Sequence, residues 1–239
     1  MRLHNDVAAI FLCLLLAGCS SNALPKSSGK TITLDTTGVP ENLTVYINEK
    51  PQTQKTNNDK IKLSVPGDQA NVIKVKNEKP LISYQVDIPQ ESQDSASLRI
   101  DPKENDELTH QVSDLLSNYY KAINNKKNAL SFLSKDSILN PKNIYKDSYK
   151  SAILYTSSYK TSTFENKPEL IMIVDAVNRG TPSYTRTYQF RLLWENEEWK
   201  IFHQQLLYEV FEGKLLYENG KGTYSGEKSP GPHDLVLSF

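Results

Sequence analysis

Cysteine is almost missing from this chain. Only Cys13 and Cys19 occur in 239 residues, so no disulfide framework and no cysteine-based metal site can act as a scaffold, and hydrophobic cores must hold any folded part together. Neither sign of charge dominates. The 28 basic residues match the 28 acidic ones, and the lysines are scattered among Asn, Ser and Glu rather than set in a stripe, so nucleic acid is not expected as a partner. No apolar run reaches the roughly 20 residues that a membrane-spanning helix needs. The phosphate-cradling, zinc-protease, nucleophile-elbow and EF-hand motifs are all missing. His110, His203 and His233 fall on a predicted helix, a predicted strand and a tail, without ligand spacing. No cofactor and no metal is expected.

What is present begins at the N-terminus. Against a mean hydropathy of -0.54, the stretch FLCLLLAGCSS at 11 to 21 stands out. Arg2 supplies a positive start, Val7 to Leu16 an apolar run of signal-peptide length, and Ala17 and Gly18 the small residues that precede a cleavage site. The four residues Leu16-Ala17-Gly18-Cys19 resemble the lipobox of bacterial lipoproteins. That resemblance implies a signal peptide over 1–18, cleavage before Cys19, diacylglyceryl attachment to the Cys19 sulfur, and a place on the extracytoplasmic face of the cell membrane. One acyl chain binds membranes only marginally, so stable retention needs two or three on this cysteine. The Ser-rich stretch that follows, to residue 30, reads as a flexible tether.

From 31 to 101 the pattern is short alternating runs: Leu43, Val45 and Ile47, then Ile61, Leu63 and Val65, with similar runs at 73–75 and 84–88. These predict a small β-sandwich-like domain. A polar stretch with two prolines, 89 to 106, predicts a boundary near Pro102 with little to bury across it. Leu108, Val112, Leu115, Leu116, Tyr119 and Ile123 then gather on one face of a predicted helix, which Asn105 or Asp106 can cap. Two shorter helices are expected near 129–133 and 143–152, the second started by Pro141. The period then changes to two over 159–165, 169–178, 184–194 and 199–208, a meander of antiparallel strands. Beyond 218, glycine and proline outnumber anything that could pack, and a poorly ordered tail is expected.

The stretch FRLLWENEEWKIFHQQLLY at 190 to 208 resembles the closing hairpin of NTF2-like domains. The fold so implied for 105–218 is an α+β cone, with helices packed on a curved antiparallel sheet. Together with the preceding β-module and the export signal, the chain is similar to the extracytoplasmic part of TcaA-type envelope proteins, which are linked to the glycopeptide antibiotic response. It lacks their zinc ribbon and spanning helix.

Candidate ligand residues follow from parity. Arg186 shares parity with Tyr184, Tyr188, Phe190 and Trp194, which puts a guanidinium on the apolar side of its strand, where it needs an anionic partner. That partner is either a ligand carboxylate or an internal glutamate. His203 shares parity with Trp199 and Ile201 on the next strand and completes the set. Asp175 reads as facing away from a core side formed by Leu170, Met172, Val174 and Ala176. The expected function is a lipid-anchored envelope protein that binds a protein, peptide or wall-polymer ligand without catalysis. A small-molecule binder or enzyme using the cone, or a structural subunit of an envelope assembly, are the alternatives.

Overall fold

A computed structural model describes residues 29–40, 43–52, 59–91, 94–219 and 230–239. Cys19, the apolar start and most of the predicted tether lie outside them. The N-terminal part contains β1 (Gly29–Asp35), β2 (Leu43–Ile47), β3 (Lys50–Gln52), β4 (Lys60–Pro66), β5 (Asn71–Glu78), β6 (Leu81–Ile88), β7 (Ser95–Ser97) and β8 (Arg99–Ile100). They form a three-stranded sheet, β4-β1-β7, and a five-stranded sheet, β3-β2-β5-β6-β8. All pairings are antiparallel except the short β1–β7 pair. Alternation does the sorting: Ile61, Leu63 and Val65 are buried on β4 while Lys60, Lys62 and Ser64 are exposed.

One long helix follows, α1 (Asp106–Asn124), then a single turn, α2 (Pro141–Ile144). The helix buries Leu108, Val112, Leu116, Tyr119, Tyr120 and Ile123, five of them members of the spaced apolar stripe in the sequence. Its apolar face lies on a six-stranded sheet built from β9 (Tyr149–Phe164), β10 (Lys167–Asn178), β11 (Thr185–Glu195), β12 (Glu198–Phe211), β13 (Lys214–Glu218) and β14 (Leu235–Ser238). The order is β13-β12-β11-β10-β9-β14. Two-residue turns with both central residues at positive φ close three of its hairpins, at Glu165–Asn166, Asn196–Glu197 and Glu212–Gly213.

The architecture corrects the expectation of an NTF2-like α+β cone. Strands hold 55% of the described residues and helices 16%, arranged in three sheets rather than as several helices on one. The expected helix near 129–133 is a 3₁₀ turn, Ala129–Phe132, and α2 ends where the second was to begin. Two causes can be named. Tyr149–Phe164 is rich in tyrosine and threonine, which favour the pleated backbone over the helix. The segment after the 3₁₀ turn is also captured by β12: the Ser134 amide donates to Ile201 O at 2.8 Å, the Ile138 amide to Phe202 O at 3.2 Å, and the Ser137 hydroxyl to Phe202 O at 3.0 Å. The sequence end differs as well, because Leu235–Ser238 forms an edge strand where little was expected to pack.

The stretch expected to bury little contains a buried amide. Asn105, 3% exposed, caps no helix N–H. Its side chain instead accepts from Ser83 N at 2.9 Å and donates to Ser83 O at 2.7 Å and Asp101 O at 2.6 Å, pairing with β6 as a strand residue would. Tyr84 OH donates to Thr161 Oγ1 at 3.2 Å from the other side of the junction. Gly38, at φ +76°, leaves no room for a side chain, since a Cβ would stand 2.8 Å from the Thr161 carbonyl oxygen. Asn105→Ala, which strands the Ser83 amide and leaves the Ser83 carbonyl only the longer bond from the Asp101 amide, 3.3 Å, should cost about 1–3 kcal/mol in urea unfolding. A cost below about 0.5 kcal/mol, the size of an ordinary surface change, would contradict this role.

Candidate functional site

Tyr184, Arg186 and Tyr188 do share one side of β11, the side that meets α1. Arg186 is satisfied there from within the protein: Nε donates to Glu209 at 2.5 Å and a terminal nitrogen to Asp147 at 2.7 Å. Burial works against its charge, but the hydrogen bonds to Asp147 and Glu209 outweigh that and raise its pKa above the usual arginine value. The internal ion pair, rather than a ligand carboxylate, occupies the guanidinium. Tyr188 is buried with its hydroxyl 2.9 Å from that of Tyr149, and burial pushes both phenols up. The Tyr184 ring packs 5.6 Å from Phe211, and its amide donates to Asn178 Oδ1 at 2.6 Å.

His203 is not with them. The β11–β12 register slips by one residue between the Arg191↔His203 and Leu192↔Ile201 pairs, a bulge that turns Phe202 and His203 away from the side of Trp199 and Ile201. The parity argument for His203 fails for this reason. The histidine lies beside Arg191 on the opposite sheet face, and burial, with the Arg191 charge second, lowers its pKa. On that face Glu169, only 1% exposed, accepts from Arg191 Nε at 2.5 Å, and the guanidinium lies 5.0 Å from the centre of the Phe202 ring. Asp175 shares the face and accepts from Tyr155 OH at 2.7 Å and Thr187 Oγ1 at 2.5 Å. Leu170, Met172, Val174 and Ala176 are fully buried on the other side.

A hollow of about 610 Å³ opens at the junction, between β8 and the middle of β9. A second bulge shapes it. Residues 156 to 159 of β9 stand opposite the single Met172 of β10, which swings Tyr159 into the core and leaves Ser157 and Lys160 exposed along the hollow. Tyr84, Leu98 and Ile100 give the floor its apolar part, and Arg99 and Lys160 put cations on two walls. Neither cation has an ion-pair partner among the described residues. Asp35 stands at the rim, its carboxyl held below the usual range by hydrogen bonds from Thr37. The volume falls within the range of small-ligand and peptide sites. No sequence signal marks these residues as neighbours, because four separate strands, β1, β6, β8 and β9, bring them together. Among the described residues no group of three His, Cys, Asp or Glu side chains converges as a metal site would require. Comparison with protein-family models, curated proteins and solved structures finds no match to this chain.

Arg186→Met should leave the Asp147 and Glu209 carboxylates facing each other without a cation and destabilise the protein by about 1–3 kcal/mol in denaturant. The double variant with Glu209→Gln should recover part of the loss, and equal losses in both would contradict the pairing. His203 predicts a pH effect. Its folded pKa lies below 6.5, so the unfolded chain protonates first; the stability tied to the neutral ring is complete above about pH 6.5 and is lost as pH falls through the folded value. His203→Gln should therefore gain on the wild type in urea midpoint between about pH 7 and pH 5. A constant difference across that window would refute the assignment.

Proposed function

We propose that the chain is exported, anchored through acyl chains on Cys19 to the outer face of the cell membrane, and serves there as a non-catalytic binding protein of the cell envelope. The anchoring half is supported by the Leu16-Ala17-Gly18-Cys19 motif directly behind the apolar run. The binding half is carried by the junction hollow, with two cations that have no ion-pair partner among the described residues over an apolar floor. That chemistry suits an extended peptide or wall-polymer segment with a carboxylate: Arg99 offers a planar fork and Lys160 a point charge, while the floor takes apolar side chains.

Two measurements test the two halves. Radiolabelled palmitate should enter the wild type and not Cys19→Ala; equal labelling would sink the anchor. The double variant Arg99→Glu, Lys160→Glu should keep its thermal unfolding midpoint yet lose about tenfold or more in retention by cell-wall and membrane-protein fractions, as expected on removing one or two charge-assisted contacts. Unchanged retention would remove the hollow from the proposal and leave the anchor standing.

A further inference from the structure

The last strand of the large sheet is held in a manner independent of everything above. β14 pairs with β9 from Leu235↔Leu154 to Ser238↔Ser151, and the Phe239 amide continues the ladder to Lys150 O at 3.0 Å. Leu235, Leu237 and Phe239 point inward and pack on the core, while Val236 is 62% exposed. The Phe239 ring stacks on the fully buried Tyr120, 4.8 Å between centres and 28° between planes. Both ends are clamped. Asp234 accepts from Thr156 N at 2.9 Å and from Gly231 N at 2.8 Å, and the Arg179 guanidinium donates to Phe239 O while its Nε donates to Tyr149 O at 2.9 Å.

This is a formed strand-accepting site, with a ladder, three apolar positions, an aromatic platform and polar clamps, filled by a segment tied to the rest of the chain only through 220–229. β13 and β14 lie at opposite edges of the sheet. Five strand spacings amount to about 24 Å, and the ten residues 220–229, three of them glycine, reach at most about 36 Å when extended. The connection is long enough to cross the sheet in one molecule and equally able to leave it for another. Exchange costs no contact, because a second copy presents the same strand to the same site.

We propose that the β9 edge is a strand-exchange site whose occupant in trans is the 230–239 segment of a second copy, giving a reciprocal dimer in which each Phe239 stacks on the other subunit's Tyr120. Deleting residues 221–228 leaves two residues between Asn219 and Pro230 and cuts the reach to about 10 Å, less than the width to be crossed. The full chain with this deletion should sediment as a dimer. The same deletion with Phe239→Ala should shift the monomer–dimer midpoint by at least tenfold in concentration. A folded monomer in which the amides of Ala152 and Leu154, the two that face β14, exchange rapidly would overturn the proposal. Should the shortened chain aggregate, a second version decides: the full-length chain with a specific protease site at Thr223, cut and mixed with labelled peptide 230–239. Uptake of this peptide, at least tenfold weaker with Phe239→Ala and absent in the uncut chain at equal concentration, supports an exchangeable strand. No uptake after cutting overturns it.

Discussion

A side-chain amide standing in for a strand residue fixes how the molecule is put together. The carboxamide of Asn105 bonds both backbone groups of Ser83, so the start of α1 is attached to the five-stranded sheet by a pair of buried hydrogen bonds whose loss leaves the Ser83 amide stranded. The helix in turn covers the six-stranded sheet with an apolar stripe, and its position determines where the two β parts meet. The turn at Gly38, set against Thr161 with no space for a side chain, and the Tyr84–Thr161 hydrogen bond follow from that placement. The hollow with Arg99 and Lys160 exists because these surfaces approach without closing.

Within the large sheet, charges are placed by bulges as much as by alternation. Ion pairs occur on both of its faces, Arg186 with Asp147 and Glu209 on the helix side and Arg191 with Glu169 on the other. Each guanidinium is matched by carboxylates on other elements, so removing one partner leaves a charge in a poorly hydrated place while the intact set costs little. Arg186 and Arg191 therefore serve the fold. Arg99 and Lys160 have no carboxylate partner among the described residues and line the hollow at the junction instead, and for this reason the binding proposal rests on them.

Much of the fold was legible in the residues. The spacing of Leu108, Val112, Leu116, Tyr119 and Ile123 marks α1, and strict alternation in 61–65 and 170–176 marks both the strands and their buried sides. Alternation failed where the register slips. Nothing local to Phe202 and His203 announces the bulge that moves the histidine to the other face, and none of the residues from 156 to 159 signals that they oppose one partner. Asp147 and Glu209 could be named as partners of Arg186 only once the strands were paired. A signal did exist for β14: Leu235, Leu237 and Phe239 alternate, but the glycine and proline before them masked it. The cone rests on three expected helices before a meander as well as on the 190–208 hairpin, and only the first of those helices forms at length, the others being a 3₁₀ turn and a segment that becomes β9 from Tyr149.

The claim on which the rest depends is that the Asn105–Ser83 pair joins the β parts into one folded body. Native-state hydrogen exchange at the Ser83 amide tests it most directly, because that N–H is donated to the Asn105 side chain and to nothing in the sheet ladder of β8. The account predicts that this amide exchanges only through global unfolding, with the same opening free energy as the Met172 and Val174 amides in the middle of the large sheet. Exchange of Ser83 through a local opening several kcal/mol cheaper, while Met172 and Val174 stay protected, would contradict it.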